Sequence, residues 1–488
     1  MHNTPFFPEW RHRLAPMGRR LGKVRQHSLV WLEKLFEEWI EPDALSQERK
    51  GNHSRQRIFT LRRTFWGFLY QALNPSSSCR EVVRQVQALL SLHSEEPFSV
   101  DANTSAYCQA RSRLPLARLK GIRHTVAEKA ERRLSQARQY WHGLKVKVID
   151  GTSTTLPDTP KNQKIYPQSR SQKPGCGFPL MKLVGIFSLG SGVLLDYAKG
   201  NKHRHEISLL QELLGLFGPG DLALADRGFS SYVSISLLIE RGAQCLFRLH
   251  QARKADFRKG RRLGRNDRLL TWKRPAQKPK YLPLELWLLV PETLSVRMVR
   301  FRLDVPGYRS QEVILVTTLI DPKKFSAREL AELYARRWRV ELWFRDIKTT
   351  MGMEALPCQS PQMAHKEVEM YLIAYNLIRA IMVAAGSAHD VPIESLSFKG
   401  SVDSTRQYSI AIAQAPTLKK QRQLRQELLR VIALDCLPNR PGRREPRAVK
   451  RRPKPYALLN KHRKKFKETS HRNRYWKNNP RKARRASR

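Results

Sequence analysis

The spacing of apolar residues changes period along the chain. From His27 to Leu134 they recur every three or four positions, in SLVWLEKLFEEWI (28–40), RIFTLRRTFWGFLYQAL (57–73), SCREVVRQVQALL (78–90) and the segment 104–134. Such spacing lays one apolar stripe along a helix, so residues 1–140 are expected to form a helical DNA-binding region, after a basic, loosely ordered start at 1–26. Arg111, Arg113, Arg118, Lys120 and Arg123 would give that unit a positive face. From Trp141 the period drops to two. LKVKVID (144–150) alternates and is rich in β-branched residues, which predicts a strand ending at Asp150. Residues 152–179 read as a loop. LMKLVGIFSLG (180–190) and VLLDYAK (193–199) read as a hairpin, 203–217 as a helix, and DLALAD (221–226) as a strand ending at Asp226. A helix (232–242) and a strand (244–250) follow.

Three strands, a helix, a strand, a helix and a strand is the order of a ribonuclease H-like α/β fold. In open α/β sheets, sites collect at the carboxyl ends of strands, where Asp150 and Asp226 are expected. The segment 252–268 reads as a basic loop. LLTWK (269–273), LELWLLV (284–290), VRMVRFRLDV (296–305) and EVILVTTLI (312–320) read as the strands of a β-rich insertion.

The next pattern is helical again. Ser326 and Glu329 form an S-x-x-E capping box, and no Gly or Pro interrupts 326–351. One continuous helix is expected. Leu333, Val340, Trp343, Phe344 and Ile347 form its core face. Tyr334, Arg337, Trp338, Glu341, Arg345 and Lys348 share the neighbouring arc. The plain reading of that arc is a ladder of i,i+4 ion pairs, Arg337–Glu341 and Glu341–Arg345. The alternative is a metal-binding carboxylate among phosphate-binding cations and stacking aromatics. The expected units are therefore 1–140, 141–251, the insertion 252–325, the second core segment 326–390, and a C-terminal part 391–488. That last part contains a helix (422–437) and a basic, Pro-rich tail from Pro438 that cannot bury a core.

Charge narrows the partners. Lys and Arg number 91 against 42 Asp and Glu, a net charge of +49 over 488 residues. A field of that size favours nucleic acid or an anionic membrane. The longest apolar run, Glu367–Ala385, holds Asn376 and Arg379 and reads as too short and too polar to span. The start, MHNTPFFPEWRHRL, lacks an apolar signal region. Six cysteines are scattered without C-x-x-C pairs, as suits a reducing cytoplasm. DNA is the expected partner, with no membrane. His203, His205 and Glu206 are read as polar residues at a helix start rather than as a metal cluster.

Tyr334, two residues, Arg337, three residues, Glu341, six residues, Lys348 resembles the Y-R-E-K signature of bacterial DDE transposases. The likeness is to the insertion-sequence-four family, to which the transposon-five transposase is related. Asp150-Gly-Thr, Asp226-Arg-Gly-Phe and Tyr375-Asn-Leu-Ile-Arg379 also match that family's strings. The resemblance spans roughly residues 100–460. It implies metal-ligating and catalytic carboxylates at Asp150, Asp226 and Glu341, holding two Mg²⁺ ions that Mn²⁺ could replace. It implies DNA contacts from Tyr334, Arg337, Trp338, Arg345 and Lys348, and an aromatic of the insertion, Trp272 or Trp287, against a flipped base. It further implies cut-and-paste transposition, with the element's terminal inverted repeats and target DNA as partners and a homodimer in the synaptic complex. Two rival readings remain: a ribonuclease H-like nuclease that cuts without joining, and a decayed DNA-binding protein.

Overall fold

A computed structural model describes residues 30–46, 58–91, 103–170, 172–303, 311–438 and 459–466. The expectations for residues 1–29 and for most of the tail beyond Pro438 lie outside the described residues.

The described residues before the sheet hold α1 (Val30–Phe36), α2 (Leu61–Leu73), α3 (Cys79–Ser91), α4 (Ser105–Arg113), α5 (Leu116–Arg132) and the short α6 (Gln136–Gln139). The segment 104–134 is broken at Pro115, which cannot donate a helical hydrogen bond. The positive face is smaller than expected. Arg111 is buried, its Nη1 3.1 Å from Cys79 Sγ and its guanidinium 3.9 Å above the Phe68 ring. Arg123 is wholly buried on carboxylates of other elements.

The α/β part opens with β1 (Tyr140–Trp141) and β2 (Leu144–Thr155), followed by α7 (Pro160–Ile165), β3 (Leu180–Ser188) and β4 (Leu194–Gly200). Next come α8 (Glu206–Gln211), β5 (Asp221–Ala225), α9 (Tyr232–Glu240) and β6 (Gln244–Arg248). The predicted loop 152–179 thus holds the end of β2 and a helix. The predicted helix 203–217 is only α8 and a 3₁₀ turn at Leu214–Leu216.

In the insertion lie β7 (Arg261–Gly264), β8 (Asp267–Lys273), α10 (Leu284–Leu288), β9 (Thr293–Leu303) and β10 (Gln311–Thr317). Two expectations fail here. The basic segment 252–268 contains β7 and the start of β8, and 284–290 is helical rather than a strand. A short apolar run suits either period, and Pro283 at the N-cap starts a helical turn.

One sheet of ten strands results, in the order β4-β3-β2-β5-β6-β10-β9-β8-β7 with β1 on β2. β2, β5 and β6 are parallel, β3 and β4 are antiparallel to their neighbours, and β10 lies antiparallel on β6. The insertion therefore prolongs the sheet. The molecule is a mixed α/β protein.

Alternation along the strands sends residues to two faces. Val146, Val148, Leu222 and Leu224 meet one core, with Val340, Trp343 and Phe344. Ile149, Ala223 and Ala225 meet the other, with Leu209, Leu210 and Phe229. Beyond the insertion come α11 (Ala327–Arg336), α12 (Arg339–Arg345), α13 (Pro361–Ala388), α14 (Phe398–Gln414) and α15 (Leu418–Leu434).

At 28 residues α13 is longer than expected and passes the length and composition test for a membrane span, but its apolar window is entirely buried. Its polar residues clamp the β3–β4 turn. Tyr375 Oη donates to Gly192 O at 2.6 Å, Asn376 exchanges 2.9 Å bonds with Leu194 N and O, and Arg379 Nε donates to Ser191 O at 3.0 Å. Gly192 has φ +73°, and a side chain there would strike Arg379. Part of the tail also packs. Arg463 N donates to Gly175 O at 3.0 Å, and its guanidinium pairs with Asp158 at 3.2 Å.

Candidate active site

Asp150 lies in the middle of β2 rather than at its end, paired with Gly185 of β3. By alternation it faces the side of Val148, where α12 packs. Asp226 follows β5, next to β2 in register, and caps the 3₁₀ turn Arg227–Phe229 through Oδ1, 2.8 Å from Gly228 N. Asp150 Oδ1 accepts from Gly151 N at 2.8 Å.

Glu341 comes from a helical segment that is not continuous. The capping box at Ser326 and Glu329 forms as expected. At Arg337–Trp338 the ladder tightens to i→i+3 bonds, Val340 N to Arg337 O at 3.0 Å and Glu341 N to Trp338 O at 3.2 Å. From Asp346 to Thr350 it widens to a π turn. The expected core face is buried throughout. The polar arc is not one stripe: Tyr334 and Arg337 are also buried, Trp338 is 46% exposed, Arg345 is exposed and Lys348 is half-buried in the π turn. Propensity could not reveal a change of helix type imposed by packing.

Of the two expected ion pairs only one forms among the described residues. Arg337 Nη2 donates to Glu341 Oε1 at 2.7 Å. Arg337 Nε and Glu341 Oε2 are both buried without hydrogen-bond partners.

The charges interact. Burial pushes the Asp150 carboxyl up to about 7, with Asp226 and Glu341 adding to the rise and Gly151 N–H and Arg337 opposing it. Glu341 is raised by burial, against the pull of Arg337. Tyr334 is raised by burial, and the Arg337 guanidinium lies 5.7 Å from its ring centroid. The structure thus brings Asp150, Asp226, Glu341, Arg337 and Tyr334 within electrostatic reach of one another. As they stand, no three His, Cys, Asp or Glu side chains among the described residues converge tightly enough to hold an ion.

The donor set nevertheless suits hard divalent cations. All three groups are carboxylates, each has an oxygen free of hydrogen bonds among the described residues, and one of those oxygens is buried. His205 is the N-cap of α8, and His203 lies in the turn before it. Glu206 beside them, read from the sequence as a polar residue at a helix start, is raised by burial, with the Asp226 charge adding to the rise. Trp272 is buried under Arg253, and Trp287 lies on α10 near Arg274.

Two acids of the sheet and one of a helix thus stand near a buried arginine. Residues 141–377 match the family model of the transposase DDE domain. The chain is 26% identical over 434 residues to the transposase InsG for insertion sequence element IS4 of Escherichia coli K12, covering 86% of this chain and 92% of that protein. It is 31% identical over 165 residues to the putative transposase InsZ of the same organism, covering 33% and 53%. Among solved structures it resembles piggyBac transposase in a synaptic complex with hairpin DNA, at 12% identity and TM-score 0.43 over 85% of this chain and 86% of that one. That last likeness is too distant to bear on mechanism. Residues 141–377 thus match a transposase DDE domain, and the chain is similar over most of its length to a transposase of an insertion sequence, a class of enzyme that cleaves and transfers DNA strands with divalent metal.

Proposed function

We propose that Asp150, Asp226 and Glu341 are the catalytic, metal-ligating residues, and that the enzyme cuts its element's ends and joins them to target DNA. The observation that carries this is the mutual charge of the three carboxylates beside partnerless, buried Glu341 Oε2 and Arg337 Nε. Two Mg²⁺ ions, with Mn²⁺ as a substitute, would stabilise charge on the attacking and leaving oxygens. Arg337 holds Glu341 through one oxygen and leaves the other for a ligand. A proton on Asp150 competes with a cation for that carboxylate. Trp338, Arg345 and Lys348 contact the DNA beside the cleaved phosphate, and Arg337 and Tyr334 grip it from within, the guanidinium by its two-pronged fork.

The order β4-β3-β2-β5-β6, with antiparallel strands on one side of β2 and parallel ones on the other, supports a ribonuclease H-like core. The unit boundaries are those inferred from sequence. A homodimer would synapse two element ends, and a bacterial nucleoid is the setting such a substrate implies.

Sequencing the flanks of the gene identifies the terminal repeats. Full-length protein is then incubated with a linear duplex carrying those repeats, a target plasmid and Mg²⁺. Nicked ends bearing 3′-hydroxyls and joined products are expected. Cutting without joining favours the nuclease reading, and neither product despite end binding favours decay.

A further inference from the structure

Three of the six cysteines come together from separate elements around one buried arginine. Arg111 of α4 lies over the Phe68 ring and, among the described residues, makes no ion pair with a carboxylate. Its acceptors are Gln71 Oε1 at 3.4 Å and two sulfurs. Nη1 donates to Cys79 Sγ at 3.1 Å, where α3 begins, and Nη2 to Cys358 Sγ at 3.8 Å, just before α13. Gln71 Nε2 also donates to Cys79 Sγ, at 3.8 Å. Helices α3 and α4 pack together, and Cys108, on the same face of α4 as Arg111, hydrogen-bonds the Cys79 sulfur.

A thiol is a weak acceptor, whereas a thiolate takes charge-assisted bonds. A buried guanidinium with sulfur acceptors therefore favours the thiolate. The bond from Cys108, the Arg111 charge and Gln71 draw the Cys79 thiol below its ordinary value, against burial. Its bond to Cys79 pushes Cys108 up, and burial pushes Cys358 up, so those two keep their protons. The cluster is within reach of small solutes. Cys108 is exposed, Cys79 is half-buried, and a cavity of about 670 Å³ lies beside them, lined by Cys108, Arg111 and Cys358. An oxidisable thiol needs a cation, access and a second thiol to resolve it, and this cluster holds all three.

We propose that Cys79 and Cys108 form a thiol oxidation site, at which hydrogen peroxide oxidises Cys79 and Cys108 closes a disulfide that joins α3 to α4. The site stands apart from the three acids and does not depend on their assignment. The Cys79 thiolate attacks one peroxide oxygen: an S–O bond forms, the O–O bond breaks, and hydroxide leaves and takes a proton from solvent to become water. The Cys108 sulfur then attacks the sulfenic sulfur: an S–S bond forms, the S–O bond breaks, and the sulfenic hydroxyl leaves with the Cys108 proton as a second water. The two sulfurs give up two electrons, and the peroxide takes them. Arg111 stabilises the reduced form, so thiol reductants readily reopen the disulfide.

Full-length reduced protein treated with hydrogen peroxide, quenched by alkylation and digested without reductant tests this by mass spectrometry. The expected product is a linked Cys79–Cys108 peptide pair, lighter than the two reduced peptides by two hydrogens and undone by dithiothreitol. In Cys108→Ser, a 1,3-dicarbonyl probe should trap the sulfenic acid at Cys79. Before oxidation, iodoacetamide at about pH 6 should label Cys79 about tenfold faster than the exposed Cys436. A disulfide between any other pair, Cys79 left reduced while Cys436 oxidises, or Cys436 labelled as fast as Cys79 each overturns the proposal. If Cys108→Ser does not fold, the linked peptide of the unaltered protein decides.

Discussion

Arg123 and Arg337 are both buried on carboxylates, and their surroundings differ. Arg123 of α5 is wholly enclosed. Its Nε donates to Glu369 of α13 at 2.9 Å, Nη1 to Leu195 O at 3.0 Å and Nη2 to Asp196 at 2.6 Å. The other oxygen of Glu369 takes Tyr197 Oη at 3.0 Å. Arg337 makes one bond to Glu341, while its Nε and the second oxygen of Glu341 stay partnerless although buried. A satisfied network joins helices to sheet and has no room for a ligand. A half-satisfied one costs stability and persists where function needs the free valence. The satisfied network around Arg123 ties helices to sheet, and the half-satisfied one at Arg337 stands beside the proposed ligands.

The largest expected effect breaks the site alone. Asp150→Asn, Asp226→Asn or Glu341→Gln should each reduce strand cleavage by several kcal/mol of barrier, on the order of 10⁴-fold. End binding in a gel-shift assay and the melting temperature in chelator should hold. Near-normal cleavage by any one variant in Mg²⁺ removes that residue from the triad.

The mirror experiment breaks the scaffold. Arg123→Met leaves Glu369 buried without its counter-charge and should cost about 3–5 kcal/mol of stability. Denaturant unfolding measures it, and the midpoint of an Mn²⁺ titration of the folded fraction, followed by electron paramagnetic resonance, should not move. An equal loss of ion affinity would mean that the two networks are one.

Arg337→Lys sharpens the contrast, because charge is kept and the fork is lost. Cleavage should fall on the order of tenfold to a hundredfold, as positioning losses do, with little change in stability. Full activity would return Arg337–Glu341 to the status of an ordinary helix ion pair.

The smallest effect concerns pH and belongs to the scaffold. His365 of α13 sits 2.7 Å from Tyr166 Oη, and burial lowers it to about 4, with Lys199 and Lys120 adding to the drop. The unfolded chain then binds a proton that the folded one refuses. Stability is intact above pH 6.5, the ordinary value, and is lost as pH falls towards 4. After allowance for the part of the ring that water reaches, about 1–2 kcal/mol is expected. Melting curves between pH 7 and 4 should flatten in His365→Gln; an unchanged slope assigns the loss to other groups.

Much of the candidate site was legible because its parts are local. Asp150 and Asp226 are marked by strands of period two, and the Y-R-E-K spacing and the capping box lie within one stretch. What misled was also local. LELWLLV reads equally as strand or helix, and a helical wheel assumes one turn angle from Ser326 to Met351. The positive face lost Arg111 to Cys79 and the Phe68 ring and Arg123 to buried acids, because charge in a sequence says nothing of which cations are drawn inside.

Composition was enough for the polyanion partner and period for most elements up to β6, since each depends on the sum of charge or on residues near in sequence; the three acids were singled out by their family resemblance. Tertiary structure alone decided that the insertion prolongs the sheet through β10 on β6, that Arg463 returns to the loop after β2, that the helix tightens at Arg337 and widens at Asp346, and that Cys79 and Cys358 meet at Arg111. These are contacts between segments tens to hundreds of residues apart. Their energies come from burial and from which donors and acceptors are left over once the chain has packed, and neither is a property of any stretch of sequence read by itself.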